Sequence, residues 1–278
     1  MGFRDILVHI NISKHCPARL DLAARLAKTF DAHLTGLFTS SAADVPFFMM
    51  EEITSNMEPV MRAWWMQKCG KARAAFDNVT GKAGIATDWL DVDGDADAIV
   101  PCLARYGDLA VVGQIDRDEL LPRPEYEVPE RAVLESGGPV LVVPCAAAPS
   151  AVGQRILVAW NGSPQSARAA KDALPFLRQA EKVTILSIGK DEMPHNIGGG
   201  ASKRIASHLT RCGVDAEIRN VAAEDTAAGD VILSHAVDMG ADLIVMGAYG
   251  HARAREMILG GATRHLLQHT TVPVLMSH

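Results

Sequence analysis

Two pairs of glycines flanking one short loop are the residues of this chain best suited to hold a ligand. Gly247-Ala248-Tyr249-Gly250 ends an apolar run, nine residues follow, and Gly260-Gly261 then leads into Ala262-Thr263. Glycine lets a backbone approach a ligand closely and adopt positive φ. Free amides at the start of a helix point toward anions, and the helix dipole favours negative charge there. Such a loop can cradle phosphate, with Thr263 either capping the helix or bonding a phosphate oxygen. His251, Arg253, Arg255 and Arg264 add local positive charge to a chain that is otherwise acidic, with 27 Lys and Arg against 33 Asp and Glu. The same glycines would also suit a tight turn from strand to helix with no ligand at all. Two familiar phosphate motifs are absent: there is no GxxxxGK[ST], and no GxGxxG follows a first strand.

Other reactive residue types form weaker patterns. No GxSxG elbow exists, and Ser163, lying before Pro164, reads as a helix N-cap. The run DVDGDADA (91–98) resembles part of a calcium loop, but the twelfth position counted from Asp91 is Cys102 where glutamate is needed. It is expected to end a strand and cap the next helix. His265 and His269 stand four apart and could share a metal, yet no convincing third ligand accompanies them. They read as surface histidines, and no metal site is expected. No group stands out as a general base, so robust turnover is not expected. Cys16, Cys69, Cys102, Cys145 and Cys212 are odd in number and form no CxxC. This argues against a disulfide scaffold and suits a reducing cytoplasm. The net charge of -6 argues against broad nucleic-acid binding. Apolar runs are strand-sized and the first residues lack a signal-peptide pattern, so the expectation is a cytoplasmic protein with no membrane partner.

The elements that must position the loop repeat along the chain. ILVHINIS at 6–13 matches ILVAWNGS at 156–163, an offset of 150. DLAVVG at 108–113 matches DLIVMG at 242–247, and Pro139-Val140-Leu141 matches Pro273-Val274-Leu275, both at an offset of 134. Three blocks in one order imply two homologous domains, 1–147 and 152–278, joined by the Ala- and Pro-containing stretch around 145–154. In the second domain, strands are expected at 155–160, 183–188, 214–221, 243–246 and 272–276. Helices are expected from Ala167 through Leu177, over 203–212, over 231–239 and over 262–269. Strand-helix alternation in a chain with 5% aromatics implies an α/β fold, two tandem doubly wound parallel-sheet domains of five strands each. The first domain adds VPFFMMEEITSNMEPVMRAWWMQKC (45–69). It reads either as a lead-in loop and long helix packing on the sheet or the sister domain, or as a groove for an apolar ligand or partner.

The pattern G-2x-G-9x-G at Gly247, Gly250 and Gly260, followed by a helix and a Pro-Val-Leu strand, resembles the universal stress protein family. The resemblance spans the chain as two tandem copies. It implies a Rossmann-like, adenine-nucleotide α-hydrolase-like fold and a stress-response role. It also implies ATP or a related adenine nucleotide, with or without Mg, in the second domain. The implied contacts are Ala159, Trp160, Asn161, Ile188, Met246, Gly247, Tyr249, Gly250, Gly260, Gly261, Ala262 and Thr263. Two positions depart from the family: Gly261 stands where Ser or Thr is usual, and Asn161 where Asp is usual. Ile188 is the residue whose backbone would read adenine.

The first domain departs further. At the 134 offset Gly113 matches Gly247, but Asp116, Tyr126 and Glu127 replace the later glycines. Bulk and like charge would exclude phosphate, so this domain is not expected to bind ATP. Two other readings stay open: a nucleotide-free scaffold that pairs through strand edges, as a homodimer or an internal pseudo-dimer, and a protein acting on a small apolar or acyl ligand through 45–69.

Overall fold

A computed structural model describes residues 2–40, 57–116, 128–145, 151–189, 200–222, 227–249 and 261–278. The chain divides into two compact units. One comprises 2–113 with 117–136, the other 114–116 with 137–278.

In the first unit β1 (Asp5–Ile10), β2 (His33–Ser40), β3 (Thr87–Asp93) and β4 (Leu109–Gly113) form a parallel sheet in the order β3-β2-β1-β4. The helices are α1 (Cys16–Phe30), α2 (Met57–Ala83), α3 (Ala96–Ala104) and α4 (Val128–Glu135). Part of the aromatic segment lies on α2. Phe76 is 1% exposed and fills the space over Gly36, where a Cβ would lie 2.7 Å from its ring. Trp65 meets Phe38 edge-on, and Trp89 stacks on Phe38. Of these rings only Trp65 belongs to 45–69, in which Val60 and Met66 stay exposed; residues 45–56 lie outside the described ones.

The second unit contains β5 (Val140–Val143), β6 (Arg155–Ala159), β7 (Lys182–Ile188), β8 (Ala216–Val221), β9 (Leu243–Gly247) and β10 (Val274–Ser277). Their order is β5-β10-β9-β6-β7-β8. All pairings given for this unit are parallel except β10 with β5, where Leu275 faces Leu141 antiparallel. The helices are α5 (Pro164–Asp172), α6 (Leu174–Leu177), α7 (Ala201–Arg211), α8 (Ala228–Asp238) and α9 (Gly261–His269).

The α/β class and the doubly wound parallel arrangement are as the sequence implies, but two details are not. The helix expected to run unbroken to Leu177 splits at Ala173. Pro175 is the reason, since it lacks an N–H and its ring crowds the preceding turn. The fifth strand of the first repeat, β5, is laid against β10 within the second unit. Leu243, Ile244 and Val245 of β9 are fully buried, as parallel strands covered on both faces are. Burying such a side chain contributes about 1.5–3 kcal/mol. Ordering a residue costs about 1–2 kcal/mol of backbone entropy, so a strand gains little until both helix layers cover it.

Candidate functional site

In the second unit the first strand of the repeat, β6, lies directly beside the fourth, β9. Chain direction away from this pair reverses: β7 and β8 lie on one side, β10 on the other. Open α/β sheets take ligands beyond the carboxyl ends of their strands at such a switch point. Most of the sequence-predicted residues meet there. Ala159 ends β6 in register with Met246, Gly247 ends β9 in register with Ser277, and Ile188 ends β7. Trp160 and Asn161 continue from β6, and Gly261, Ala262 and Thr263 open α9. Gly250 and Gly260, with His251, Arg253 and Arg255, lie outside the described residues.

The two described glycines of the motif do different work. A Cβ on Gly247 would overlap the backbone of Gln165 and Ser166 in the first turn of α5. Glycine at this position therefore lets α5 lie flat on the sheet end. A Cβ on Gly261 would meet no atom of the described residues within 4 Å. Thr263 is buried, and its Oγ1 accepts a hydrogen bond from the Tyr249 N–H at 3.3 Å. This bond ties the entrance of the loop to the helix that follows it. Tyr249 has a φ of 60°, a left-handed conformation unusual for a residue with a side chain.

The other flank is built by local hydrogen bonds. Ser163 Oγ accepts from Ser166 N–H at 3.1 Å, which is the N-cap read from the sequence. Asn161 Oδ1 accepts from Ser163 N–H at 3.1 Å and so closes a turn at Gly162, whose φ is 73°. Trp160 anchors its backbone N–H on Leu186 at 2.8 Å, while its indole Nε1 is buried with no hydrogen-bond partner among the described residues. A buried donor without an acceptor costs about 1–3 kcal/mol, so this indole is a group a ligand can satisfy.

Sequence reasoning passed over His278, seen there only as a stray histidine. Its Nδ1 lies 3.2 Å from the carbonyl of Ala248, and its ring meets Tyr249 edge-on at 6.0 Å. A carbonyl only accepts, so Nδ1 carries the hydrogen. His265 is not an isolated surface histidine: its Nε2 pairs with Asp230 at 2.9 Å. In the acidic stretch, Asp95 stands at the N-cap position of α3 but makes no capping bond with its side chain. Asp91 accepts a hydrogen bond from the Cys69 thiol at 3.1 Å. Burial, with Asp91 adding to it, pushes that thiol up to about 11, so it is a poor nucleophile near neutral pH.

The first unit shows a different fate for the equivalent place. Arg19, on α1, is 3% exposed. Its Nε donates to the carbonyl of His9 at 2.8 Å, and its Nη2 donates to Asn11 Oδ1 at 2.8 Å. The Nη1 end lies where a Cβ of Gly113 would be. Gly113 and Asn11 are the repeat equivalents of Gly247 and Asn161. The hollow is thus filled by an arginine. Of the residues expected to block it, Tyr126 and Glu127 lie outside the described ones.

His9 is also buried, and its Nε2 has no hydrogen-bond partner. Burial, with the Arg19 charge adding to it, pushes its pKa down from 6.5 to about 3. Between those values the unfolded chain takes up a proton that the native ring refuses. Stability of this unit is therefore expected to fall as pH drops through that window, by about 1.4 kcal/mol per pH unit. Urea titrations at about pH 7 and about pH 5 check this: His9→Leu should flatten the dependence. An unchanged slope in that variant would show that other groups carry the acid sensitivity.

A doubly wound parallel sheet with a topological switch point and one strand ending in glycine defines a Rossmann-like class of α/β domain. Comparison with known proteins makes this specific. Residues 153–278 match the model of the universal stress protein family. A curated universal stress protein from Synechocystis is 26% identical over 207 residues, which cover 71% of this chain. The match spans 63% of that relative, less than two thirds of its length. Among solved structures, a universal stress protein from Archaeoglobus fulgidus is 16% identical and covers 98% of this chain and 97% of its own, with a TM-score of 0.76. A Pseudomonas aeruginosa protein of unknown function is 14% identical, covers 99% of this chain and 92% of its own, and has a TM-score of 0.60. These likenesses extend the shared fold along essentially the whole chain.

Among the described residues, no helix is long and apolar enough to cross a membrane.

Proposed function

We propose that the second unit, as the domain 152–278, binds ATP or a related adenine nucleotide at the carboxyl ends of β6 and β9. Gly250, Gly260, Gly261 and Ala262 would supply backbone amides to the phosphates. Asn161, Trp160 and Ala159 would face the ribose, and the backbone of Ile188 the adenine. The observation that carries this reading is the start of α9: the amide end of a nine-residue helix begins at Gly261, with no atom of the described residues within 4 Å of where a side chain would be. Amides at such a terminus favour a phosphate. The braced Tyr249–Thr263 contact holds the loop entrance beside it.

Binding would then act by shifting the population of loop conformations in a cytoplasmic stress-response protein. In the first unit, the buried Arg19 supports exclusion of the nucleotide.

Isothermal titration of the full chain with ATP tests this. One site per chain is expected, and Gly250→Asp should weaken it at least tenfold, because a carboxylate within about 4 Å of a phosphate costs on the order of 1–4 kcal/mol. No heat and no thermal shift at millimolar ATP would sink the proposal in favour of the scaffold reading.

A further inference from the structure

The last strand, β10, is already paired on both sides within its unit, with β5 and with β9. The strand at the other end of that sheet, β8, pairs only with β7 among the described residues. The direction of its backbone groups follows from one hydrogen bond: Gly189 N–H donates to the carbonyl of Val221 at 2.8 Å. In a strand, the N–H and C=O of one residue point to the same side, and the side alternates along the chain. Val221, Arg219 and Glu217 therefore turn their backbone groups toward β7. Asn220, Ile218 and Ala216 turn theirs outward.

The side chains around this outward row are self-complementary. Ile218 is 37% exposed, with Glu217 on one side of it and Arg219 on the other. An antiparallel copy of the same strand, related by a two-fold axis at Ile218, would place Ile218 opposite itself as a hydrogen-bonded pair. Glu217 would then face Arg219 of the copy, and Arg219 would face Glu217 of the copy, in the closer non-hydrogen-bonded positions. Opposite charges there stabilise a sheet. Glu217 bonds Lys182 through Oε2 at 2.9 Å, which leaves Oε1 as an acceptor. Ala216 and Asn220 would complete the ladder at its ends.

The strand at the equivalent position of the first unit is protected against such pairing. β3 carries Asp88, Asp91 and Asp93, so a copy laid against it would bring carboxylates together. Charge on an edge is a usual defence against strand-to-strand association. No residue of β8 is a proline, and its two charges are of opposite sign.

We propose that β8 is a self-association edge through which two copies of this chain pair antiparallel about Ile218, joining two six-stranded sheets. Each copy presents the same patch, as a two-fold dimer requires. The contact is one short strand from each copy, below the size of a permanent interface, so the dimer forms and dissociates with concentration.

Sedimentation velocity on the full chain, from about 1 µM to a few hundred µM, reads this directly. The wild type should pass from monomer to dimer across that range. Ile218→Pro should raise the dissociation constant at least tenfold: proline removes an outward N–H and leaves the β7 ladder whole, as edge strands allow. An unchanged circular dichroism spectrum checks the fold. Arg219→Glu and Glu217→Arg should each weaken self-association, while an equimolar mixture of the two should dimerise as the wild type does. A wild type that stays monomeric throughout, or a dimer indifferent to all three variants, would overturn the proposal. None of these outcomes depends on nucleotide binding, so a failed ATP titration leaves this test standing.

Discussion

Gly247→Ala is expected to destabilise the second unit by about 3 kcal/mol and to abolish nucleotide binding with it. The new methyl would overlap the nitrogen and Cα of Ser166 and the carbonyl carbon of Gln165. These are backbone atoms of a capped helix start, so no rotamer change can relieve the overlap. The first turn of α5 must move, and the turn at Asn161 and Ser163 moves with it. Gly261→Ala is the instructive partner. Its methyl meets open space, and alanine favours a helix over glycine by about 1 kcal/mol, so stability should hold or rise slightly. A fall in ATP affinity in Gly261→Ala without loss of stability would locate the phosphate at the start of α9. Urea unfolding and isothermal titration on the same two variants separate packing from binding. A Gly247→Ala protein as stable as the wild type would refute the packing account.

The second large effect concerns the first unit. Arg19→Ala should destabilise it by about 3 kcal/mol. The carbonyl of His9 and Oδ1 of Asn11 would each lose a buried donor, and the space over Gly113 would be left empty. Arg19→Met isolates the charge. Methionine restores most of the stem volume and removes a cation that, among the described residues, meets only neutral acceptors. A buried charge without a counter-charge is itself costly, so the methionine variant should lose far less than the alanine variant. Tryptophan fluorescence during urea unfolding, read in a Trp160→Phe background, reports the right unit, since the other three tryptophans, Trp64, Trp65 and Trp89, all lie in it. Equal losses in both variants would show that hydrogen bonds, not volume, hold the plug.

Much of the second unit was legible because its signals are local. Ser163-Pro164 announces a helix start, and the cap bond follows from it. Gly213 and Gly240 announce helix ends, and both have positive φ, at 84° and 58°. Ala159, Met246, Gly247 and Ile188 could be placed together through the resemblance to the universal stress protein family, and each stands at or next to the end of its strand. Arg19 was not legible. A charged residue in an amphipathic helix ordinarily faces water, and only the long-range approach of β4 turns this one inward. The place of β5 was hidden for a similar reason: VLVV reads alike in any fully buried strand, and nothing local says which neighbour it takes.

The sequence by itself determined the repeat, the strand-helix order and the chemical type of the glycine loop, because each rests on periodicity or on residues close in the chain. Tertiary structure alone decided that one glycine serves helix packing while another leaves an open amide end. It also decided that an arginine fills the first hollow and that β8 is left with its backbone facing outward. Those outcomes depend on which atoms from distant segments arrive at the same few ångströms, and spacing along a chain carries no record of that.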